Sequence, residues 1–144
     1  MKILIVGGGP TGLYFGILMK RADPAHEVIV LERNRPDETF GFGVVFSDAT
    51  IAEVESADPE TYRAITDHFV RWDDIDVYYG GEVIRSSGHG FSGLSRQTLL
   101  TVLHDQAAAL GIDLRFECEF NGLEAGASVT GVSMSGERES ISVD

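Results

Sequence analysis

A chain of 144 residues, 43% hydrophobic and 24% charged, is long enough for one domain with a real core and has the polarity of a globular protein. Its net charge of −12 excludes nucleic acid as a partner, because phosphate contacts need Lys and Arg; from Asp37 to Glu82 the cations are Arg63 and Arg71 alone, and this acidic stretch reads as a solvated surface. A single cysteine, Cys118, excludes an internal disulfide and a cysteine metal site, and His26, His68, His89 and His104 lack metal-ligand spacing, so no metal is expected.

Lys2-Ile3-Leu4-Ile5-Val6 is a short apolar run that predicts a buried strand. It yields to glycine too soon for a signal-peptide core or a membrane span, so a cytoplasmic protein with no membrane span is expected. Gly7-Gly8-Gly9-Pro10-Thr11-Gly12 follows, and glycines 7, 9 and 12 fit G-x-G-x-x-G. Leu13 to Arg21 reads as a helix, with apolar Leu13, Ile17, Leu18 and Met19. A second apolar run, Val28 to Leu31, ends in Glu32-Arg33, with the acid 20 positions beyond Gly12.

This is the pattern of a dinucleotide-binding β-α-β unit. Gly7 permits the tight turn, Gly9 lets backbone approach a pyrophosphate, and Gly12 lets helix pack on strand. Pro10 near the first helical turn gives up an N–H that had no partner there. The helix N-terminus offers free N–H groups and a positive dipole end to phosphates. Glu32 would accept hydrogen bonds from the adenosine ribose. The competing reading is a glycine-rich turn in an unrelated α/β protein.

Further along, Asn34 to Thr39 is a polar loop, and Gly41 to Ser47 is an apolar segment punctuated by glycine, as if something approaches closely. Asp48 to His68 is helical and acidic, broken at Asp58-Pro59. Ile75, Val77 and Tyr79 alternate with Asp74, Asp76 and Tyr78, which predicts a half-buried strand; Gly80-Gly81 turns a hairpin and Val83-Ile84 starts the return. Gly88 to Gly93 reads as loose. Gln97 to Leu110 is a helix with Leu99, Leu100, Leu103, Ala107 and Leu110 on its apolar face, stopped by Gly111. Ile112, Leu114, Phe116, Cys118 and Phe120 alternate as one strand, Asn121-Gly122 turns the chain, and short strands follow with a turn at Ser135-Gly136.

Three blocks carry a family resemblance: Gly7 to Leu13 with Glu32-Arg33, Gly41 to Ser47, and Leu94-Ser95-Arg96-Gln97-Thr98-Leu99 with its Arg-x-x-Leu. Together they resemble the N-terminal segment of FAD-dependent aromatic hydroxylases, the single-component flavoprotein monooxygenases of the para-hydroxybenzoate hydroxylase type. The second block and His68 to Val77 look most like the salicylyl-CoA 5-hydroxylase and 2-aminobenzoyl-CoA monooxygenase branch, and more distantly like a violacein-pathway hydroxylase. The resemblance covers nearly all of residues 1–120.

It implies an α/β, Rossmann-like FAD-binding domain of the glutathione-reductase type, incomplete, with a β-hairpin excursion from a substrate domain. On this reading residues 1–47 are the dinucleotide-binding β-α-β and flavin-side loop, 70–95 the hairpin excursion, and 96–144 the helix and strands returning to the FAD domain. The resemblance implies FAD as cofactor, with Gly9, Thr11 and Gly12 facing the pyrophosphate and Glu32 holding the ribose. Arg33 would flank the adenine, Gly43 and Val44 would run near the flavin, and Arg96 would reach the phosphate-ribose region, where a guanidinium fork suits phosphate oxygens. It also implies NADH or NADPH as co-substrate, O2, and an aromatic substrate, with aryl-CoA thioesters among the candidates. It assigns no catalytic residue.

Two departures stand out. Many relatives carry an arginine where this chain has Gly41-Phe42, so one cofactor cation is missing. The family's later Asp-Gly and Gly-Asp motifs are absent, so the chain is expected to be the N-terminal part of a longer enzyme. The alternatives are a non-catalytic nucleotide-binding module or truncated inactive fragment, and a flavin-dependent reductase or dehydrogenase. Each histidine is expected at the surface or satisfied, with a substrate-side role open to His89. Ser92 fails G-x-S-x-G at Leu94, so no nucleophile elbow is expected. Trp72 and Tyr78-Tyr79 read as a substrate face or as hairpin cover, and Cys118 as core.

Overall fold

The computed structural model describes residues 1–124, 128–133 and 138–142. In chain order the elements are β1 (Lys2–Val6), α1 (Pro10–Ala22), β2 (Glu27–Leu31), β3 (Gly43–Ser47), α2 (Asp48–Ala57), α3 (Pro59–Thr66), β4 (Val70–Trp72), β5 (Ile75–Tyr79), β6 (Glu82–Ser86), β7 (Phe91–Ser95), α4 (Arg96–Ala109), β8 (Asp113–Arg115), β9 (Cys118–Glu124), β10 (Ser128–Ser133) and β11 (Arg138–Ser142). They fall into two compact units, Met1–Thr39 with Leu100–Asp144, and Phe40–Leu99.

The first unit is built on a parallel sheet in the order β1-β2-β8, with Ile5 opposite Val30 and Val30 opposite Leu114. Val28, Ile29, Val30 and Leu31 are each 2% exposed or less, so β2 is buried on both faces, as its unbroken apolar run requires. Leu13 and Ile17 of α1 are buried with it, and a side chain on Gly16 would come within 3.1 Å of the Ile5 Cδ1, so glycine brings helix close to strand. Lys20 and Arg21 sit in the last turn of α1, where cations complement the dipole, and the Lys20 Nζ donates to the carbonyls of Pro24 and His26. Ile29 and Leu31 join Cys118 and Ile141 in one cluster, so the antiparallel sheet β11-β10-β9 packs through Cys118 and Ile141 against β2. Cys118 is a core residue, as expected.

In the second unit β7 lies between β3 and β4, antiparallel to both. Ile51, Ile65 and Leu94 are buried there, and the rings of Phe46 and Phe69 lie 5.6 Å apart. Asp58 ends α2 and begins α3; its buried carboxylate accepts from the Thr61 N–H at 3.1 Å, so the expected break at Asp58-Pro59 is a shared cap. Gly80 and Gly81 take φ of +60° and +85°, as the two-residue turn of the β5–β6 ribbon demands.

Several expectations change. The alternation from Ile112 to Phe120 is two strands: β8 pairs with β2 and β9 with β10, parted at Glu117, whose φ is +54°. Asn121-Gly122 does not turn the chain. Gly122 faces Thr130 while Phe120 faces Gly131, so Asn121 is the extra residue of a β-bulge inside β9. The ribbon is exposed rather than half-buried, with Val77 at 52% and Tyr79 at 77%. Gly88 to Gly93 is loose only at its start, since β7 begins at Phe91 and its Ser92 is 3% exposed. On α4 Val102 is buried although no expectation named it, and Leu110 is half-buried beyond the helix end. The turn expected at Ser135-Gly136 lies outside the described residues. Among the described residues no helix is long and apolar enough to cross a membrane.

Candidate functional site

At the end of β1 the Gly7 N–H donates to the Leu31 carbonyl at 2.8 Å, so the glycine loop leaves the sheet still in register with β2. Gly8 is buried and its N–H donates to the Glu32 Oε2 at 2.8 Å. A side chain on Gly8 would come within 2.9 Å of the Glu32 Cβ. Gly9 is the N-cap of α1, with no side chain to cap the helix and no acid in the first turn. Pro10 is the first helical residue, and Thr11 and Gly12 follow in the turn whose N–H groups have no partner within a helix. A Cβ on Gly12 would run into the Gly7 carbonyl oxygen, so only glycine allows this approach. The result is an uncapped positive helix end beside the loop.

Glu32 follows β2 and is held on several sides. Its Oε1 accepts from the Asn34 backbone N–H at 2.8 Å and from the Asn34 Nδ2 at 2.7 Å. Its own N–H donates to the Arg115 carbonyl and its carbonyl accepts from Cys118. A carboxylate has about four acceptor positions, so these three side-chain bonds leave room for one more donor. Arg33 beside it is exposed. A groove of about 380 Å³ opens here, lined by the ends of β1 and β2, by Glu32, Arg33 and Asn34, and by Cys118, Glu119 and Phe120 of β9. Sequence reading found Glu32 and Arg33 and missed the β9 wall, because alternation marks Cys118 and Phe120 only as core.

Gly43, Val44 and Arg96 come together in the second unit. Gly43 and Val44 open β3 opposite Ser95 and Leu94, and a Cβ on Gly43 would lie 3.0 Å from the Leu94 carbonyl oxygen. The Arg96 N–H donates to the Phe42 carbonyl at 3.1 Å. The Arg96 Nε is buried and has no hydrogen-bond partner among the described residues.

The histidines divide. His26 Nδ1 lies 3.0 Å from the Met19 carbonyl, and His89 Nε2 lies 2.7 Å from the Ser86 Oγ. His104 departs from expectation. Its Nε2 is buried without a hydrogen-bond partner among the described residues, its ring stands edge-on to Phe116 at 5.0 Å, and burial pushes its pKa below the usual imidazole range against the pull of Asp105 and Glu32.

An open glycine loop, an uncapped helix N-terminus and an acid at the end of the second strand fit an extended dinucleotide. The profile of the FAD binding domain family matches residues 1–142. Over 119 residues, 83% of the chain, it is 50% identical to a salicyloyl-CoA 5-hydroxylase of Streptomyces sp, of which it covers 23%. It is 32% identical over 117 residues, 81% of the chain, to a 3-hydroxy-4-methyl-anthranilyl-[aryl-carrier protein] 5-monooxygenase of Streptosporangium sibiricum, covering 33% of that protein. The chain thus spans about a quarter to a third of the length of these relatives. The structure of p-nitrophenol 4-monooxygenase from Pseudomonas putida superposes with a TM-score of 0.80 at 18% identity over 96% of this chain and 38% of that one. A structure of 2-methyl-3-hydroxypyridine-5-carboxylic acid oxygenase gives 0.78, also at 18%, over 96% and 36%. At that identity the likeness is one of fold, an α/β FAD-binding fold. The resemblance to flavoprotein aromatic hydroxylases is borne out, and the chain belongs to the FAD binding domain family.

Proposed function

We propose that this chain is the FAD-binding part of an NAD(P)H-dependent flavoprotein monooxygenase that hydroxylates an aromatic ring presented as an aryl-CoA thioester. The 50% identity to a salicyloyl-CoA 5-hydroxylase carries the substrate class, and the open glycine loop with its uncapped helix end carries the cofactor. Gly7 would make the turn and Pro10 open the helix that present Gly9, Thr11 and Gly12 to the pyrophosphate, with Glu32 at the ribose and Arg33 on the adenine side. Gly43 and Val44 would lie near the flavin. Arg96 would meet a phosphate-ribose oxygen, a role favoured by its buried, unpartnered Nε. Bound FAD would supply two-electron transfer from NADH or NADPH and activation of O2, while the residues bind, orient and exclude water. We place the protein in the cytoplasm.

The test is visible absorbance of the purified chain after FAD addition and desalting. Retained flavin is expected, and Arg96→Ala should reduce it. Retention unchanged in Arg96→Ala removes that residue's role; a wild-type chain that never holds flavin passes the test to the longer protein, where absence of bound flavin overturns the cofactor assignment. For the longer protein, product carrying an oxygen atom from labelled O2 separates a monooxygenase from a reductase.

A further inference from the structure

Asn34 grips Glu32 twice and is itself tied to the corner between β8 and β9. Its backbone N–H donates to the Glu32 Oε1 at 2.8 Å, and its Nδ2 donates to the same oxygen at 2.7 Å. Its carbonyl accepts from the N–H of Glu117, the residue at φ +54°, at 3.2 Å. On the same stretch the Glu32 N–H donates to the Arg115 carbonyl at 2.8 Å, and the Glu32 carbonyl accepts from the Cys118 N–H at 2.9 Å. Backbone bonds alone therefore lace residues 32–34 to 115–118, and the Asn34 amide is in place before any ligand arrives. A carboxylate oxygen only accepts, so the end of the amide that faces Oε1 is the NH2 group.

The two carboxylate oxygens are left unequal. With about two acceptor positions on each, Oε1 is filled by the two Asn34 donors. On Oε2 the buried Gly8 N–H takes one position at 2.8 Å, and no other donor reaches that oxygen among the described residues. Glu32 and Asn34 both line the groove at the ends of β1 and β2. A carboxylate with both oxygens open could accept from two vicinal hydroxyls, one on each oxygen. This one keeps a single open position, on the oxygen that also holds the glycine loop.

We propose that Asn34 is a positioning residue of the nucleotide site: by filling Oε1 it leaves Oε2 as the acceptor, so Glu32 takes one hydroxyl of the adenosine ribose and not two. This rests on the ribose role proposed for Glu32 and deepens it, because it assigns the oxygen that accepts and the residue that selects it.

The probes are ADP, 2′-deoxy-ADP and 3′-deoxy-ADP, titrated calorimetrically into the flavin-free chain. Wild type should bind one deoxy probe about fivefold more weakly than ADP and the other within about twofold of it. Asn34→Ala removes the Nδ2 donor while the backbone N–H stays, which opens a position on Oε1; Asn34→Leu does the same with the bulk kept. Each should bring the two deoxy probes within about twofold of one another. A substitution that only loosened the fold would weaken all three nucleotides alike and keep the gap. A second measurement needs no ligand: hydrogen exchange at the Gly8 amide should be about fivefold faster in both variants, because a carboxylate released from Asn34 holds that N–H less well. Deoxy probes that are weakened equally in wild type, or not at all, overturn the proposal, as does a gap that survives both substitutions. Gly8 exchange unchanged in both variants overturns the clamp. ADP that binds neither this chain nor the flavin-stripped longer protein overturns the ribose reading, and Gly8 exchange tells that failure from a failure of the clamp.

Discussion

Glu32 is the residue whose structural role can be pulled apart from the ribose role proposed for it. If it served only a ribose, removing it would leave the cofactor-free chain untouched. In the structure its carboxylate accepts three hydrogen bonds of 2.7–2.8 Å, one from the buried Gly8 N–H and two from Asn34. Glu32→Ala orphans that buried N–H, which costs about 1–3 kcal/mol, while the two Asn34 donors recover part of their loss through water. A net loss of about 2 kcal/mol follows. For a chain of this size that lowers the thermal midpoint by about 6–8 °C, taking about 3–4 °C per kcal/mol. Glu32→Gln keeps one carbonyl acceptor and should lose about half as much. The assay is thermal unfolding by circular dichroism on flavin-free protein, followed by FAD titration of each variant. An alanine variant that melts within a degree of wild type would falsify the claim that Glu32 pins the glycine loop, leaving it only a ligand role.

Three further outcomes are expected. Gly12→Ala drives a methyl into the Gly7 carbonyl oxygen, a backbone atom that cannot rotate away; it should cost about 1–3 kcal/mol and abolish flavin retention, and a yellow variant with wild-type melting would contradict the placement. Asp58→Ala removes the cap of α3 and should lower stability by about 1 kcal/mol in urea titration, with Asp58→Ser restoring most of it; a midpoint unmoved by the alanine would remove the cap's importance. His104 has a folded pKa depressed by burial from 6.5, so the unfolded chain takes up the proton first. Its contribution is whole above about pH 6.5 and fades as pH falls toward the folded value, so the stability of wild type relative to His104→Gln should drop on acidification; a pH-independent difference would show that the ring is not desolvated.

The β-α-β unit was legible because each of its signals is local. A glycine turn, a helical period and an acid after an apolar run all lie within 33 residues, and the fold puts them where the spacing says. The hairpin at Gly80-Gly81 was legible for the same reason, since both turn residues need positive φ. What failed was pairing between distant segments. Apolar alternation from Ile112 to Phe120 is continuous, yet its first half completes a parallel sheet and its second half begins an antiparallel one. The switch rests on Glu117 at φ +54°, a conformation that glutamate does not advertise. Asn121-Gly122 misled because the flexibility that favours a tight turn also serves a bulge, and only the partner strand decides.

The same distinction explains why the acid at position 32 was found but half understood. Its spacing from the glycines follows from register. The Gly7 N–H bonds the Leu31 carbonyl, so the residue that follows β2 is the first that can reach back to the Gly8 N–H. Alternation along a strand means that a one-residue slip in β2 would turn that side chain to the other face, and both the loop contact and any ribose contact would go together. An inserted residue between Asp23 and His26, outside β2, leaves the register alone. The motif's spacing is therefore tolerant in the turn after α1 and strict within β2, because the carboxylate must shape the loop before it can serve the ribose role proposed for it.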